Sequence, residues 1–290
     1  DLVRSRGLGD VYKRQAMGTQ LMARGLEPGE CPDLWNIERR QDILEVLREY
    51  RLAGSDMLTA CSFSANRWKL EVSGLAARLV EINTAAVEVA LEAAEGAFVL
   101  ADIGPTGRFM EPLGTDPREA FIEVYAEQAV ALAEAGADAL ILETFTSLPE
   151  ILAAVEGAKT TGLPVIASMS FGRDAAGTFH TIMGDDIPSS VEALEKAGAA
   201  VVAGNCGEGP DTYVDIAAAL TKAAKVPVMV QPNAGAPRIV DGGTVFPMDA
   251  DEFAGYVRPI LAAGVAAIGG CCGTTPAHIE KIRQIVDSLS

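Results

Sequence analysis

Short apolar runs alternate with longer amphipathic stretches along most of the chain. The runs Asp56–Cys61, Ala97–Ile103, Ala137–Leu142, Pro164–Met169, Ala199–Gly204, Pro227–Gln231 and Ala266–Gly270 are near-continuously apolar and flanked by Gly or Pro. Strands buried on both faces read this way, as they do in parallel sheets. Between them, helical spacing predicts helices over Ile37–Leu52, Arg118–Ala135, Leu148–Thr160, Pro188–Ala197, Asp211–Ala224, Asp249–Ala263 and Pro276–Leu289. In the first of these, Ile37, Ile43, Leu44 and Leu47 form the apolar stripe. Thr115-Asp-Pro117 and Thr275-Pro276 are start signals, a capping residue followed by Pro. Gly136, Gly198 and Gly264 each stand just after a predicted helix and just before a predicted strand.

Strict βα alternation points to a parallel α/β fold. A doubly wound sheet would want a G-x-G-x-x-G turn near the first strand, and none opens the chain. An eighth strand just before Ala16 would close the seven into a (β/α)8 TIM barrel. Chemistry in such a barrel sits where strands end and βα loops begin, and the cysteines concentrate there. Cys206, Cys271 and Cys272 follow the runs ending at Gly204 and Gly270, and Cys61 ends the first run, while Cys31 lies elsewhere.

A lone Cys at a strand end is ordinarily core, and adjacent cysteines can also form a vicinal disulfide. Three thiolates converging on one barrel mouth instead suit Zn²⁺, which binds soft sulfur tetrahedrally at about 2.3 Å. Three protein ligands leave one position for substrate. Neighbours on a strand point to opposite faces, so Cys271 and Cys272 can share an ion only if the backbone leaves extended geometry. Gly269, Gly270 and Gly273 permit that, for example as a bulge.

Composition and charge narrow the partners. The chain has 290 residues, 49% hydrophobic and 22% charged, which fits a large globular core. Its net charge of −17 disfavours nucleic acid and anionic membrane surface. The sequence has no apolar run of membrane-spanning length, and its first 15 residues lack the apolar core of a secretory signal, so the expected location is the cytoplasm. Five cysteines, an odd number, argue for metal or thiol chemistry over a disulfide framework. Residues 1–15 carry net +2 and no clear period. They are read as an atypical lead, with the globular domain at 16–290.

Gly204-Asn-Cys206 together with Gly269-Gly-Cys-Cys-Gly-Thr-Thr-Pro276 resembles the zinc-binding signature of the homocysteine S-methyltransferase family. Ala16-Met-Gly-Thr-Gln-Leu21, Gly54–Phe63, Ile103-Gly-Pro-Thr-Gly107, Leu142-Glu-Thr-Phe145 and Gln231-Pro-Asn-Ala-Gly235 also match, in family order. The resemblance runs from about Ala16 to the C-terminus. It implies a (β/α)8 barrel with one zinc on Cys206, Cys271 and Cys272, the homocysteine thiol filling the fourth position. A free thiol has a pKa of about 8.5, and metal ligation deprotonates it, so transfer of the methyl group needs no general base. The resemblance also implies substrate contacts: Glu143 on the ammonium, the Cys61, Ser62 and Phe63 loop on the carboxylate, and Ala16 and Asn233 lining the site.

Two departures stand out. Family members carry Asp-Gly before Ala-Met-Gly-Thr, the Asp helping to hold the substrate's amino group, whereas this chain has Arg14 and Gln15. The family's Thr-Asn-Thr-Phe is Ala60-Cys-Ser-Phe63 here. The chain has no Asp-x-His-x-x-Gly cobalamin motif and no room for a folate or cobalamin module. The methyl donor is therefore expected to be separate from it: a methylcorrinoid protein, because Asp102–Gly107 and Gln231–Gly235 resemble the methionine-synthase branch. An S-methylmethionine- or betaine-type donor is the alternative. So is a non-catalytic zinc- or thiol-binding barrel. A Schiff-base lyase or aldolase would want a Lys at a strand end, and none of the seven ends has one. The long loop Phe171–Asp186 reads either as a lid or as a surface excursion.

Overall fold

The computed structural model describes residues 17–240 and 243–289. The lead, Arg14, Gln15, Ala16 and the expected eighth strand lie outside the described residues.

All seven predicted strands form. They are β1 (Met57–Thr59), β2 (Phe98–Ile103), β3 (Ala139–Phe145), β4 (Val165–Met169), β7 (Val201–Asn205), β8 (Val228–Gln231) and β11 (Ala267–Ile268). Two hairpins interrupt the count: β5 (Gly172–Arg173) with β6 (Phe179–His180), and β9 (Arg238–Val240) with β10 (Gly243–Val245). The main sheet is entirely parallel, in the order β1-β2-β3-β4-β7-β8-β11. Each strand pairs with the next main-sheet strand in the chain and the order never reverses, which separates this sheet from a doubly wound one.

Burial explains how the sheet is shaped. Leu58, Val99, Ala101, Leu140, Leu142, Val202 and Val230 join the large core shared with the helices. Residues of the other parity, Met57, Leu100, Ala139, Ile141, Ile166, Ala203, Met229 and Ala267, form a second core built from strand residues alone. All seven strands contribute to it. A sheet face whose side chains meet one another across seven strands must curl around them. The result is a TIM-like, singly wound α/β architecture.

The helices follow the predicted starts and stops. Thr275 caps Pro276–Asp287, with its Pro in the first turn. Gly198 ends Ile187–Ala197 at φ 99°, a left-handed conformation that glycine adopts without penalty. Three differences are informative. The predicted helix over Ile37–Leu52 is broken at Arg39 (φ −132°, ψ 42°) into Trp35–Glu38 and Arg40–Leu52. The Arg39 guanidinium stacks on Trp35 at 3.7 Å and donates to the Arg24 carbonyl, which anchors the break. A helix at Leu79–Ala94, absent from the sequence reading, buries nine residues, with Glu81, Glu88 and Glu92 on its exposed face. The Phe171–Asp186 excursion contains an ordered hairpin, closed by Asp174 accepting from the Ala176 and Thr178 amides. Among the described residues no helix is long and apolar enough to cross a membrane.

Candidate metal centre and substrate site

Strand parity places the site. Continuing the strand-only face by two residues along each strand gives Thr59, Asp102, Glu143, Ser168, Asn205 and Gln231, all buried. This polar layer closes the C-terminal end of the second core, and the cysteine loops lie immediately beyond it.

The Sγ atoms of Cys206, Cys271 and Cys272 lie within 4.8 Å of one another. Cys271 and Cys272 are 4.0 Å apart, sulfur to sulfur, and all five cysteines are free thiols. Zn–S bonds of about 2.3 Å set tetrahedral sulfurs ~3.8 Å apart, so this trio fits a zinc ion with little movement. The backbone reaches that arrangement by turns. Cys206 itself is left-handed at φ 61°. β11 ends at Ile268, and Cys271–Thr274 is a turn beyond the strand, closed by the Thr274 amide (3.1 Å) and hydroxyl (2.7 Å) donating to the Cys271 carbonyl. The two cysteines thus converge through a turn, where the sequence suggested a bulge. Gly273 is required there: its φ is 80°, and a Cβ would lie 2.3 Å from the Phe246 side chain.

The Gln231–Gly235 stretch locks both cysteine loops together. The Cys206 amide donates to the Gln231 carbonyl (3.1 Å), Cys271 to Pro232 (2.9 Å), and Ala234 to Cys272 (2.9 Å). This gives the Gln-Pro-Asn-Ala-Gly motif a structural role. The Asn233 side chain lies beside Cys206 and helps to lower its pKa, while its Oδ1 is buried with no hydrogen-bond partner. The sulfurs share charge unequally. Donation from the Cys271 and Cys272 thiols pulls Cys206 down to about 3, while the same donation pushes Cys272 up to about 12 and Cys271 well up. One proton leaves this cluster easily, but losing the others calls for a nearby cation.

Glu143 lies within the register shift of β3 between Leu142 and Phe145. Its Oε1 accepts from Asn205 Nδ2 at 3.2 Å. The same Nδ2 lies 3.7 Å from Cys271 Sγ, so Glu143 and the cysteine trio share a partner. The sequence reading quoted Asn205 within a motif without giving it a role. Its signal was parity: it sits on β7 in the same inward series as Val201 and Ala203.

The loop after β1 is held from beneath. The Cys61 thiol points to the Pro32 carbonyl at 3.8 Å, and burial pushes its pKa well up. Ser62 Oγ donates to the Asp102 carbonyl (2.7 Å). The Phe63 carbonyl accepts from the Gly104 amide (2.9 Å). Asn36 donates to the Cys61 carbonyl and Gln128 to the Ser62 carbonyl, each at 2.7 Å. Asp33 accepts from the Ser64 amide (3.1 Å), and burial raises its carboxyl to about 7. Neither histidine is near a strand end of the main sheet. His278 caps the last helix, accepting from the Thr275 amide, and His180 belongs to the β5–β6 hairpin.

The comparisons agree with this geometry. The methionine synthase of Mycobacterium tuberculosis is 32% identical over 94% of this chain, which covers 24% of that protein. Betaine–homocysteine S-methyltransferase 1 of Rattus norvegicus is 28% identical over 86% of the chain, which covers 65% of that protein. The chain thus spans about a quarter of the length of the methionine synthases it matches. The homocysteine methyltransferase MmuM from Escherichia coli, in its metallated form, superposes with a TM-score of 0.78 at 25% identity, covering 98% of each chain. The homocysteine S-methyltransferase family model matches residues 16–286, and this chain belongs to that family.

Proposed function

We propose that this chain transfers a methyl group to the thiol of homocysteine, giving methionine. The observation that carries the proposal is the convergence of three cysteine sulfurs, within 4.8 Å of one another, beside a buried glutamate at the same strand ends. Cys206, Cys271 and Cys272 would hold zinc. A zinc ion there supplies the positive charge that keeps a substrate thiol ionised at neutral pH.

The remaining roles fall to the chain's own groups. Glu143 holds the substrate ammonium by a charge-assisted bond. The carboxylate meets the loop of Cys61, Ser62 and Phe63, where the Cys61 and Ser62 side chains are themselves engaged with the Pro32 and Asp102 carbonyls. Asn233 lines the site beside Cys206. The sulfur electron pair forms the new S–C bond while the donor departs with the pair of the broken one. The donor is a separate methylcorrinoid protein, in keeping with the likeness of Asp102–Gly107 and Gln231–Gly235 to the methionine-synthase branch.

Anaerobic purification followed by elemental analysis, then an assay with homocysteine and isotopically labelled donors, tests this reading. About one zinc per chain and labelled methionine from a methylcorrinoid protein are expected. Label from betaine or S-methylmethionine alone would replace the donor. Zinc without methionine from any donor would leave a thiol-binding barrel, and no zinc uptake would overturn the site.

A further inference from the structure

Asn205 touches both halves of the site with one side chain. Its amide orientation is fixed by the Thr144 backbone N–H, which donates to Oδ1 at 2.9 Å. Ser168 Oγ donates to the same oxygen at 2.6 Å. The NH2 end therefore faces Thr144 Oγ1 at 2.7 Å, Glu143 Oε1 at 3.2 Å and Cys271 Sγ at 3.7 Å. Two hydrogens serve three acceptors, so the amide is held from every side.

The backbone around Asn205 shows what this clasp holds. Thr144, next to Glu143, is left-handed at φ 61°, an outlier for a β-branched residue. Cys206, next to Asn205, has the same φ of 61°. Such residues persist where their surroundings over-determine them. The two Asn205 bonds to Thr144 supply that constraint and aim Glu143. The contact to Cys271 places an N–H donor against its sulfur, where it would orient a metal-bound thiolate and draw charge from it.

We propose that Asn205 is a positioning residue for both functions of the site, setting the metal ligand Cys271 and the amino-acid-binding Glu143 through one amide. This rests on the zinc and homocysteine reading above. It distinguishes Asn205 from Glu143 and from Asn233, each of which serves one half.

The test compares the native protein with Asn205→Asp, which keeps the Oδ1 acceptor but loses the donor, and with Glu143→Gln. Zinc affinity is measured by competition with a chromophoric chelator. The thiolate-to-metal absorption band is recorded after loading with cobalt(II), and the homocysteine KM is measured with any active donor. Asn205→Asp is expected to lose about 10–100-fold in zinc affinity, to shift the cobalt band and to raise KM. Glu143→Gln is expected to raise KM alone, with zinc affinity within about twofold of native. An Asn205→Asp protein with native zinc affinity and an unshifted cobalt band overturns the inference. If that variant does not fold, Asn205→Ser carries the same measurements with the same outcomes. A native protein that binds neither zinc nor cobalt overturns the underlying reading, and the inference falls with it. Native binding with unaffected variants overturns the inference alone.

Discussion

Two layers of side chains share the strand-only face of the sheet, two residues apart along each strand. The lower layer, including Leu100, Ile141, Ile166, Ala203 and Met229, is apolar. The upper layer, Asp102, Glu143, Ser168, Asn205 and Gln231, is polar and buried as deeply. Backbone and burial are the same, so the difference lies in how the residues are held. Dispersion and water exclusion hold the lower layer, which accepts any filling of the right volume. Directional bonds hold the upper layer, such as Ser168 to Asn205 and Asn205 to Glu143, where a missing partner leaves a buried polar group exposed to its full desolvation cost. Stability and chemistry are thus separated by a single strand repeat.

The comparison breaks if substitutions at or above the upper layer act through stability, or if those in the lower layer act through chemistry. The largest effect is expected from Cys206→Ala: loss of bound zinc in elemental analysis and a fall of more than about a thousandfold in methyl transfer, since the remaining thiolates cannot complete the donor set. Ile141→Ala should cost about 2–5 kcal/mol in denaturant unfolding while zinc content and homocysteine KM stay native. Glu143→Gln should raise KM about 10–100-fold, the worth of one charge-assisted bond, with a melting temperature close to native.

The smallest effect sharpens the contrast between satisfied and strained burial. Asp33 is a buried acid outside both layers, with its carboxyl raised to about 7 from 3.8. The folded protein then binds a proton there that the unfolded chain has released. Stability conferred by this group is greatest at low pH, falls as pH rises from about 4 to about 7, and is flat above, with a slope of at most about 1.4 kcal/mol per pH unit. Asp33→Asn should flatten the dependence of the melting temperature on pH between 5 and 7. An unchanged slope would show that Asp33 is not its source.

Much of this organisation is legible in the sequence because parallel strands advertise themselves. Every strand run, from Asp56–Cys61 to Ala266–Gly270, corresponds to a strand of the sheet, and Thr275-Pro276 marks a real helix start. The cysteine trio is legible from register alone, since three thiols at strand ends have one place to meet. The helix Leu79–Ala94 carries a stripe, Leu79, Ile82, Ala86, Ala90 and Ala93 opposite Glu81, Glu88 and Glu92, but neither end is marked, since Arg78 makes no side-chain cap and Glu95 stands where a Gly would. Asn205 is hidden for a different reason. Beside a cysteine and a glycine it reads as part of a motif, and only the two-residue period counted from Val201 shows that it faces the site. The backbone inversions at Thr144 and Cys206 leave no trace in residue type, since neither is a residue that favours φ of 61°.

The separation of the three cysteines along the chain has a consequence for biogenesis. Glu143 leaves the ribosome before Cys206, which in turn waits for Cys271 and Cys272, 65 residues further on in the sequence. The loop from Gln231 to Gly235 that joins the two cysteine loops forms its last contacts only with the final pair. A nascent chain therefore possesses Glu143 before it has a complete nest of three thiols. A metal bound by all three cysteines would therefore be captured only after β11 is made, and its capture would certify that this strand has docked.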